Sequence, residues 1–244
     1  MKIALIFTGV PRLSLDRTRK VIDNFREVFP SADCYFHTWE NHVDKIPEEN
    51  VLSCPQPELK YHPLIEPSIH PVDNPVYYEK VRDARQKKAM GRDPGRKVGV
   101  AHLQIYGYAD ALSKIPEDYD VYIRARYDID ISKVVNFKRY LKRATTEGPV
   151  GFSGGSAGVS EFVRGPCFDE FREQPKLIRD ERWKCFLLDV MFFHKREHFD
   201  TDEVFRQFEE KQLKPMEFGW WSIMSAPYGG DIHTGVWGGV KIIR

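Results

Sequence analysis

At the start of the chain, apolar residues alternate between strand and helix patterns. Residues 2–7 form a nearly continuous apolar run, which is typical of a strand buried on both faces of a parallel sheet. The next apolar residues recur at helical spacing up to Phe29, and Pro30 ends that segment. A second short strand is predicted over 34–37. This order of strand, loop, helix and strand predicts an α/β fold with a doubly wound sheet, in which ligands bind beyond the carboxyl ends of the strands.

Farther along, the same patterns predict further elements after a long irregular segment. Prolines and charges dominate 40–97, and this stretch is too long for a plain connector. We therefore expect a single domain over 1–244, with 40–97 as an inserted flap or acceptor-side subdomain. Beyond it, a helix that ends before Pro116 precedes strands predicted at 121–127, 149–153, 187–193 and 240–243, and a helix predicted over 204–208.

The strand predicted at 121–127 ends in alternating acids, Asp128 and Asp130. Two carboxylates aimed at one point repel each other unless a cation lies between them. Their hard oxygens suit Mg²⁺ or Mn²⁺, ions that usually share their coordination sphere with substrate phosphates. The alternative is a strand that enters a polar turn, where Arg124 and Arg126 neutralise surface acids. The pattern alone leaves both interpretations open.

Composition excludes some classes of partner. Lysine and arginine number 37 against 36 aspartates and glutamates, so no global field favours a nucleic acid or an anionic membrane. The first apolar run is too short for a signal peptide, and no segment reaches membrane-spanning length. We expect a cytoplasmic protein without a transmembrane segment. Aromatic residues make up 13% of the chain, which suits a packed core and ring-lined binding grooves.

Three short motifs resemble those of a known family. They are Gly9-x-Pro11-Arg12 after the first strand, His37-Thr38-Trp39, and the strand Ile123 to Asp128. In this order they resemble the small bacterial and phage-type GT-A glycosyltransferases. The resemblance implies a Rossmann-like GT-A fold, with a mostly parallel central sheet flanked by helices. It also implies a metal-binding Asp-x-Asp and a late histidine, which by position are Asp128, Asp130 and His233.

The predicted loops supply residues for a nucleotide and for proton transfer. Arg12 could pair with a phosphate through its planar fork, while Thr8 and Gly9 offer hydroxyl and backbone contacts. Gln104, Arg126 and Asp128 are further candidates, with Asp128 bonding the ribose or the metal. An inverting transferase also needs a base for the acceptor hydroxyl. Asp189, in an apolar setting, is the first choice and Glu217 the second.

The expected function is that of a metal-dependent glycosyltransferase. It would move a hexose from a nucleotide-diphosphate sugar, with a UDP-sugar as the expected donor, to a glycan or a lipid-linked acceptor. A nucleotidyltransferase acting on sugar phosphates is one alternative, although such enzymes favour a glycine-rich, basic loop after the first strand, and the loop at 9–12 has one glycine and no lysine. A glycan-binding module without catalytic activity is the other alternative.

Overall fold

The computed structural model describes residues 1–57, 94–134, 136–146, 148–152, 190–210 and 240–243. The strands in this part of the chain are β1 (Ile3–Thr8), β2 (Ala32–Trp39), β3 (Val51–Cys54), β4 (Val121–Ala125), β5 (Ile129–Asp130), β6 (Val150–Phe152), β7 (Met191–His194) and β8 (Lys241–Ile242). The α-helices are α1 (Leu15–Val28), α2 (Pro94–Ser113), α3 (Phe137–Thr146) and α4 (Thr201–Glu209). Short 3-10 helices cover Glu40–Lys45 and Arg196–His198.

Six of these strands form one mixed sheet in the order β3-β2-β1-β4-β7-β6. The first four are parallel to one another, whereas β7 runs antiparallel to both β4 and β6. Separately, β5 and β8 form a two-stranded antiparallel pair. The predicted α/β class is confirmed. Five of the six strands run in the same direction and only β7 is reversed, so the sheet is mostly parallel, as expected.

Helices cover both faces of the sheet because the side chains of β1 alternate between the two faces. Ile3, Leu5 and Phe7 pack in one core cluster with the apolar faces of α1 and α3. Ala4 and Ile6 pack in a second cluster with α2 and α4. The described part of the chain therefore has three layers, with the sheet between two pairs of helices.

Three parallel strands end at the same edge of the sheet. Thr8, the last residue of β1, is level with His37 in β2, and Phe7 is level with Ala125 at the end of β4. The buried Tyr127 ties these ends together, because its hydroxyl donates to the carbonyl oxygens of Phe7 and His37, each at 3.2 Å. Its ring also stacks on Phe7 at 5.6 Å between centroids. This edge is where an open α/β sheet offers a ligand site.

Two core elements were not predicted from the sequence. β3 lies within the segment interpreted as an insertion, yet it pairs with β2 at the edge of the main sheet. Its four residues are too few for a periodic signal. α3 was missed although apolar residues recur in it at helical spacing. The remainder of the proposed insertion up to residue 93 lies outside the described residues, so the domain division stays a prediction.

Most other predicted elements occur within a few residues of their expected bounds. The strand expected at 187–193 is observed as β7, and its first residues lie outside the described part of the chain. The helix predicted before Pro116 is observed as α2. Among the described residues, none of the helices combines the length and the apolar content needed to cross a bilayer.

Replacing Tyr127 with phenylalanine tests how firmly the strand ends are joined. The Tyr127→Phe protein should lose about 1–2 kcal/mol of unfolding free energy, because two hydrogen bonds to strand carbonyls disappear while the ring stays in place. Urea denaturation measures this difference. Tyr140→Phe is the matched control, since the Tyr140 hydroxyl bonds to none of the described residues. Equal stability of the two variants would contradict the proposed role of Tyr127.

Candidate ligand cleft

A cleft opens at the edge where β1, β2 and β4 end. It is lined by Thr8, Gly9, Val10, Arg12, His37, Thr38, Trp39, Gln56, Leu103, Gln104, Gly107, Arg126, Tyr127 and Asp128. Its volume of 170 Å³ is below the roughly 300–1,000 Å³ of typical small-molecule sites. The lining residues would therefore hold only part of a ligand as large as a sugar nucleotide.

The loop after β1 forms one wall of this cleft. Gly9 has a φ of +107°, a backbone conformation that favours glycine, and this turn leads the chain out of the sheet. Arg12 follows on the loop, where it is exposed and lines the cleft. It forms no ion pair with any described residue. The guanidinium of Arg12 is thus placed to meet an anionic ligand.

A buried arginine joins two further walls of the cleft. Arg124 in β4 is completely buried, and its Nε donates to Thr8 Oγ1 at 3.2 Å. One terminal nitrogen donates to Gln104 Oε1 at 2.9 Å, which ties β1 and β4 to α2. The guanidinium also lies 5.7 Å from the centre of the Phe192 ring. These contacts fix Arg124 relative to the end of β1 and to α2.

Arg126 and Asp128 form a bidentate ion pair just after the end of β4. Arg126 Nε donates to one carboxylate oxygen of Asp128 at 2.8 Å, and a terminal nitrogen donates to the other at 2.7 Å. Both side chains are largely buried, which strengthens the attraction. Since a carboxylate has about four acceptor positions, Asp128 keeps capacity for a ligand hydroxyl or a cation.

Asp130 takes a different position from Asp128. Its carboxylate accepts a hydrogen bond from the backbone N–H of Ser132 at 2.8 Å, and its residue pairs with Lys241 between β5 and β8. Asp130 does not line the cleft. The chain turns between β4 and β5, so the regular alternation that would direct both acids to one point is interrupted.

The predicted metal site is therefore incomplete within the described residues. In that part of the chain, Asp128 and Asp130 belong to no group of three side chains that could hold a metal ion. His233, the predicted third ligand, lies outside the described residues, as do Asp189 and Glu217, the predicted bases. Pairing with β8 does bring the end of the chain beside Asp128, because Ile243 N–H donates to the Asp128 carbonyl at 2.8 Å. The requirement for Mn²⁺ or Mg²⁺ stays a prediction.

On the β2 side of the cleft, the imidazole of His37 contacts Asp110, which is itself paired with Lys114. Its Nε2 lies 2.8 Å from Asp110 Oδ2 on α2, and Lys114 donates to the same oxygen at 2.7 Å. Burial opposes ionisation of Asp110, but the hydrogen bonds from His37 and Lys114 outweigh it and lower its pKa. Asp110 is thus a carboxylate that fixes the orientation of the imidazole.

Cys54 lies beside this pair and completes a group of ligand type. Its sulfur is 3.7 Å from His37 Nε2, and the three ligand atoms of His37, Cys54 and Asp110 lie within 4.8 Å of one another. Burial raises the pKa of the Cys54 thiol to about 12, which disfavours the thiolate that a metal needs. The Lys114 ammonium at Asp110 also opposes a second cation. Hydrogen bonding explains the group without a metal ion.

Two other histidines have structural explanations. His194 in β7 is buried between Tyr108, whose hydroxyl lies 2.5 Å from Nε2, and the Lys195 carbonyl, 2.6 Å from Nδ1. Burial lowers the pKa of His194 to about 3 and that of His198 to about 4. His198 Nδ1 accepts from the Lys195 N–H at 3.2 Å. His194 and His198 therefore belong to a strand and to the 3-10 turn that follows it.

The structure thus brings together one subset of the predicted residues. Six candidates for nucleotide binding line the same cleft, namely Thr8, Gly9, Arg12, Gln104, Arg126 and Asp128. Sequence reasoning did not assign roles to His37, Thr38 and Gly107. The end of β2 was a usable signal for the first two, because parallel neighbours of β1 must end at the same edge.

No protein-family model, curated protein or solved structure matches the chain.

The buried His194 predicts a loss of stability in acid. Its pKa of about 3 in the fold is below 6.5, the ordinary value of an exposed imidazole. Between these values only the unfolded chain binds the proton, so this contribution is complete above pH 6.5 and is lost as the pH falls towards 3. The slope approaches about 1.4 kcal/mol per pH unit. In urea denaturation across this range, His194→Gln should show a shallower slope than the wild type, and equal slopes would contradict the assignment.

Proposed function

We propose that the protein is a glycosyltransferase that binds a nucleotide-diphosphate sugar in this cleft and transfers a hexose to a glycan or a lipid-linked acceptor. A UDP-sugar is the expected donor. The observation that carries the proposal is the convergence of the six candidates for nucleotide binding on one cleft. They were selected from two separate segments around β1 and β4 and from α2, and a shared binding site accounts for polar residues from all three meeting there.

The charge of the cleft favours an anionic ligand. Among the described residues, the lining includes the guanidinium groups of Arg12 and Arg126 and the carboxylate of Asp128, and these three side chains together carry a net positive charge. Arg12 is exposed and free to approach a phosphate, whose oxygens match the planar fork of arginine. Asp128, fixed by Arg126, would accept from a hydroxyl of the ligand. A diphosphate with an attached nucleoside meets both requirements.

This arrangement has a chemical use in group transfer. When the bond between the sugar and the diphosphate breaks, negative charge develops on the leaving phosphate. A guanidinium at that position stabilises the charge more in the transition state than in the bound donor. Arg12 is our candidate for this role. The base that deprotonates the acceptor is proposed from the sequence as Asp189, with Glu217 second.

Removing the charge of Arg12 tests nucleotide binding. Arg12→Gln should bind UDP about 10–100-fold more weakly than the wild type, because a charge-assisted hydrogen bond to phosphate is lost. Titration with UDP, followed by tryptophan fluorescence, measures the change, since Trp39 lines the cleft. Arg19→Gln is the control, because Arg19 is exposed on α1 and does not line the cleft.

The same titration separates the alternatives. If the wild type binds no nucleotide but binds a glycan, the glycan-binding alternative is supported and the proposal is wrong. A screen of nucleotide sugars for hydrolysis or transfer then tests the reaction itself. Release of a nucleoside diphosphate supports a glycosyltransferase, whereas release of pyrophosphate from a nucleoside triphosphate and a sugar phosphate supports a nucleotidyltransferase.

The predicted metal requirement has its own test. If Asp130 binds the ion, Mn²⁺ should strengthen UDP binding by the wild type and have little effect on Asp130→Asn. This substitution removes the charge but keeps an oxygen that can accept from the Ser132 N–H. Asp44→Asn is the control, because Asp44 is exposed in the 3-10 helix away from the cleft. Equal enhancement by Mn²⁺ in all three proteins would show that Asp130 is not a ligand.

A further inference from the structure

One wall of the cleft contains buried polar atoms that the proposed phosphate contacts do not use. His37 and Thr38 are each about 1% exposed, and both line the cleft. Nδ1 of His37 and Oγ1 of Thr38 have no hydrogen-bond partner among the described residues. Buried polar atoms are almost always paired, because leaving them unpaired loses the hydrogen bonds that they made to water. A ligand in the cleft is a natural partner for both.

Asp110 determines what His37 can offer to such a ligand. Because the Asp110 carboxylate can only accept, the nearby Nε2 of a neutral His37 must carry the hydrogen and donate it. Nδ1 is then left with a lone pair and no hydrogen. His37 therefore presents a hydrogen-bond acceptor of fixed orientation, supported by the Asp110 to Lys114 ion pair behind it.

The surroundings of His37 differ from the arginine side of the cleft. Trp39 and Leu103 supply apolar surface, and Gly107 on α2 faces the two rings without a side chain. A Cβ on Gly107 would lie 3.3 Å from Trp39 Cη2 and 3.6 Å from His37 Nδ1. In the part of the chain that the structure describes, this side is apolar and carries no charge apart from Asp110 and Lys114. It suits a ring system better than a phosphate.

We propose that Nδ1 of His37 accepts a hydrogen bond from the nucleoside part of the ligand, either a ribose O–H or a base N–H, and that Asp110 maintains the required tautomer. This inference rests on the proposed nucleotide binding, and it assigns one part of the nucleotide to each side of the cleft. Phosphate lies towards Arg12 and Arg126, and the nucleoside lies towards β2. His37 then acts as a residue that positions the nucleoside and selects for donor groups on it.

Two substitutions at His37 separate this role from a structural one. Glutamine places its amide near the position of Nε2, so His37→Gln keeps a partner for Asp110 and loses the acceptor at Nδ1. Asparagine places its amide oxygen near Nδ1, so His37→Asn keeps the acceptor and loses the contact with Asp110. Our proposal expects UDP to bind His37→Gln about tenfold more weakly than the wild type and His37→Asn nearly as well. A purely structural role expects the reverse order.

Nitrogen-15 NMR of the imidazoles tests the tautomer without relying on a folded His37 variant. In the wild type, His37 should carry its hydrogen on Nε2, and the Nδ1 resonance should move when UDP is added. In Asp110→Asn the amide can donate to Nε2, so the hydrogen should move to Nδ1 and UDP binding should weaken. His42→Gln, outside the cleft, is the control for binding and should match the wild type. An unchanged Nδ1 resonance on saturation with UDP would overturn the proposal.

Modified nucleotides distinguish the two sources of the hydrogen. The binding penalty of His37→Gln should disappear with one of 2′-deoxy-UDP, 3′-deoxy-UDP and N3-methyl-UDP, whichever lacks the donor that His37 meets. A penalty that persists with all three overturns the inference.

The outcomes also separate this inference from the proposed function. If the wild type binds no nucleotide, both are wrong, whereas equal UDP binding by the wild type and His37→Gln overturns only the role of His37.

Discussion

The parallel register of β1 between β2 and β4 is the constraint on which the candidate site depends. It makes three strands end at the same level, so that Thr8, His37 and the residues after Ala125 meet at one edge. Tyr127 holds this edge by bonding the carbonyls of two strands while its ring packs on Phe7. A shift of one residue in either pairing would move polar side chains from the cleft to the opposite face of the sheet.

Buried charge gives the cleft its rigidity. Arg124 lies inside the sheet layer and joins Thr8 to Gln104, so the walls contributed by β1 and α2 are fixed relative to β4. Arg126 is fixed in turn by both oxygens of Asp128. Breaking either set of contacts would leave a buried guanidinium poorly solvated, which is costly in a medium of low dielectric constant. Side chains held in this way are already oriented before a ligand arrives.

The two sides of the cleft differ in chemistry, and this difference connects the proposals. Of the lining residues that the structure describes, those on the β1 and β4 side include two guanidinium groups and one carboxylate. The β2 side has an apolar wall and an imidazole whose tautomer is set by Asp110. A nucleoside diphosphate has the same division, with charge at one end and a ring with hydrogen-bond donors at the other. An inorganic anion or a neutral glycan would match only one of these sides.

Sequence by itself determined the α/β class, the position of the first strands and helix, and most of the residues on the arginine side of the cleft. These features follow from local periodicity and from the rule that parallel strands place their following loops at one edge. It could not determine that β7 enters antiparallel or that β3 belongs to the main sheet, because strand direction and strand order depend on pairings distant in sequence. Asp128 and Asp130 are two residues apart, yet the turn between β4 and β5 sends only Asp128 into the cleft.

Only the tertiary structure brought His37 to Asp110, which is 73 positions away along the chain. Neither residue has a local signal of this contact in the sequence. His37 lies near the end of β2, and Asp110 lies on the face of α2 that meets it. Their distance is set by how the helix packs across the sheet. Local pattern therefore specified the elements and the edge at which a ligand would bind, while packing between elements decided which polar atoms are paired and which remain available.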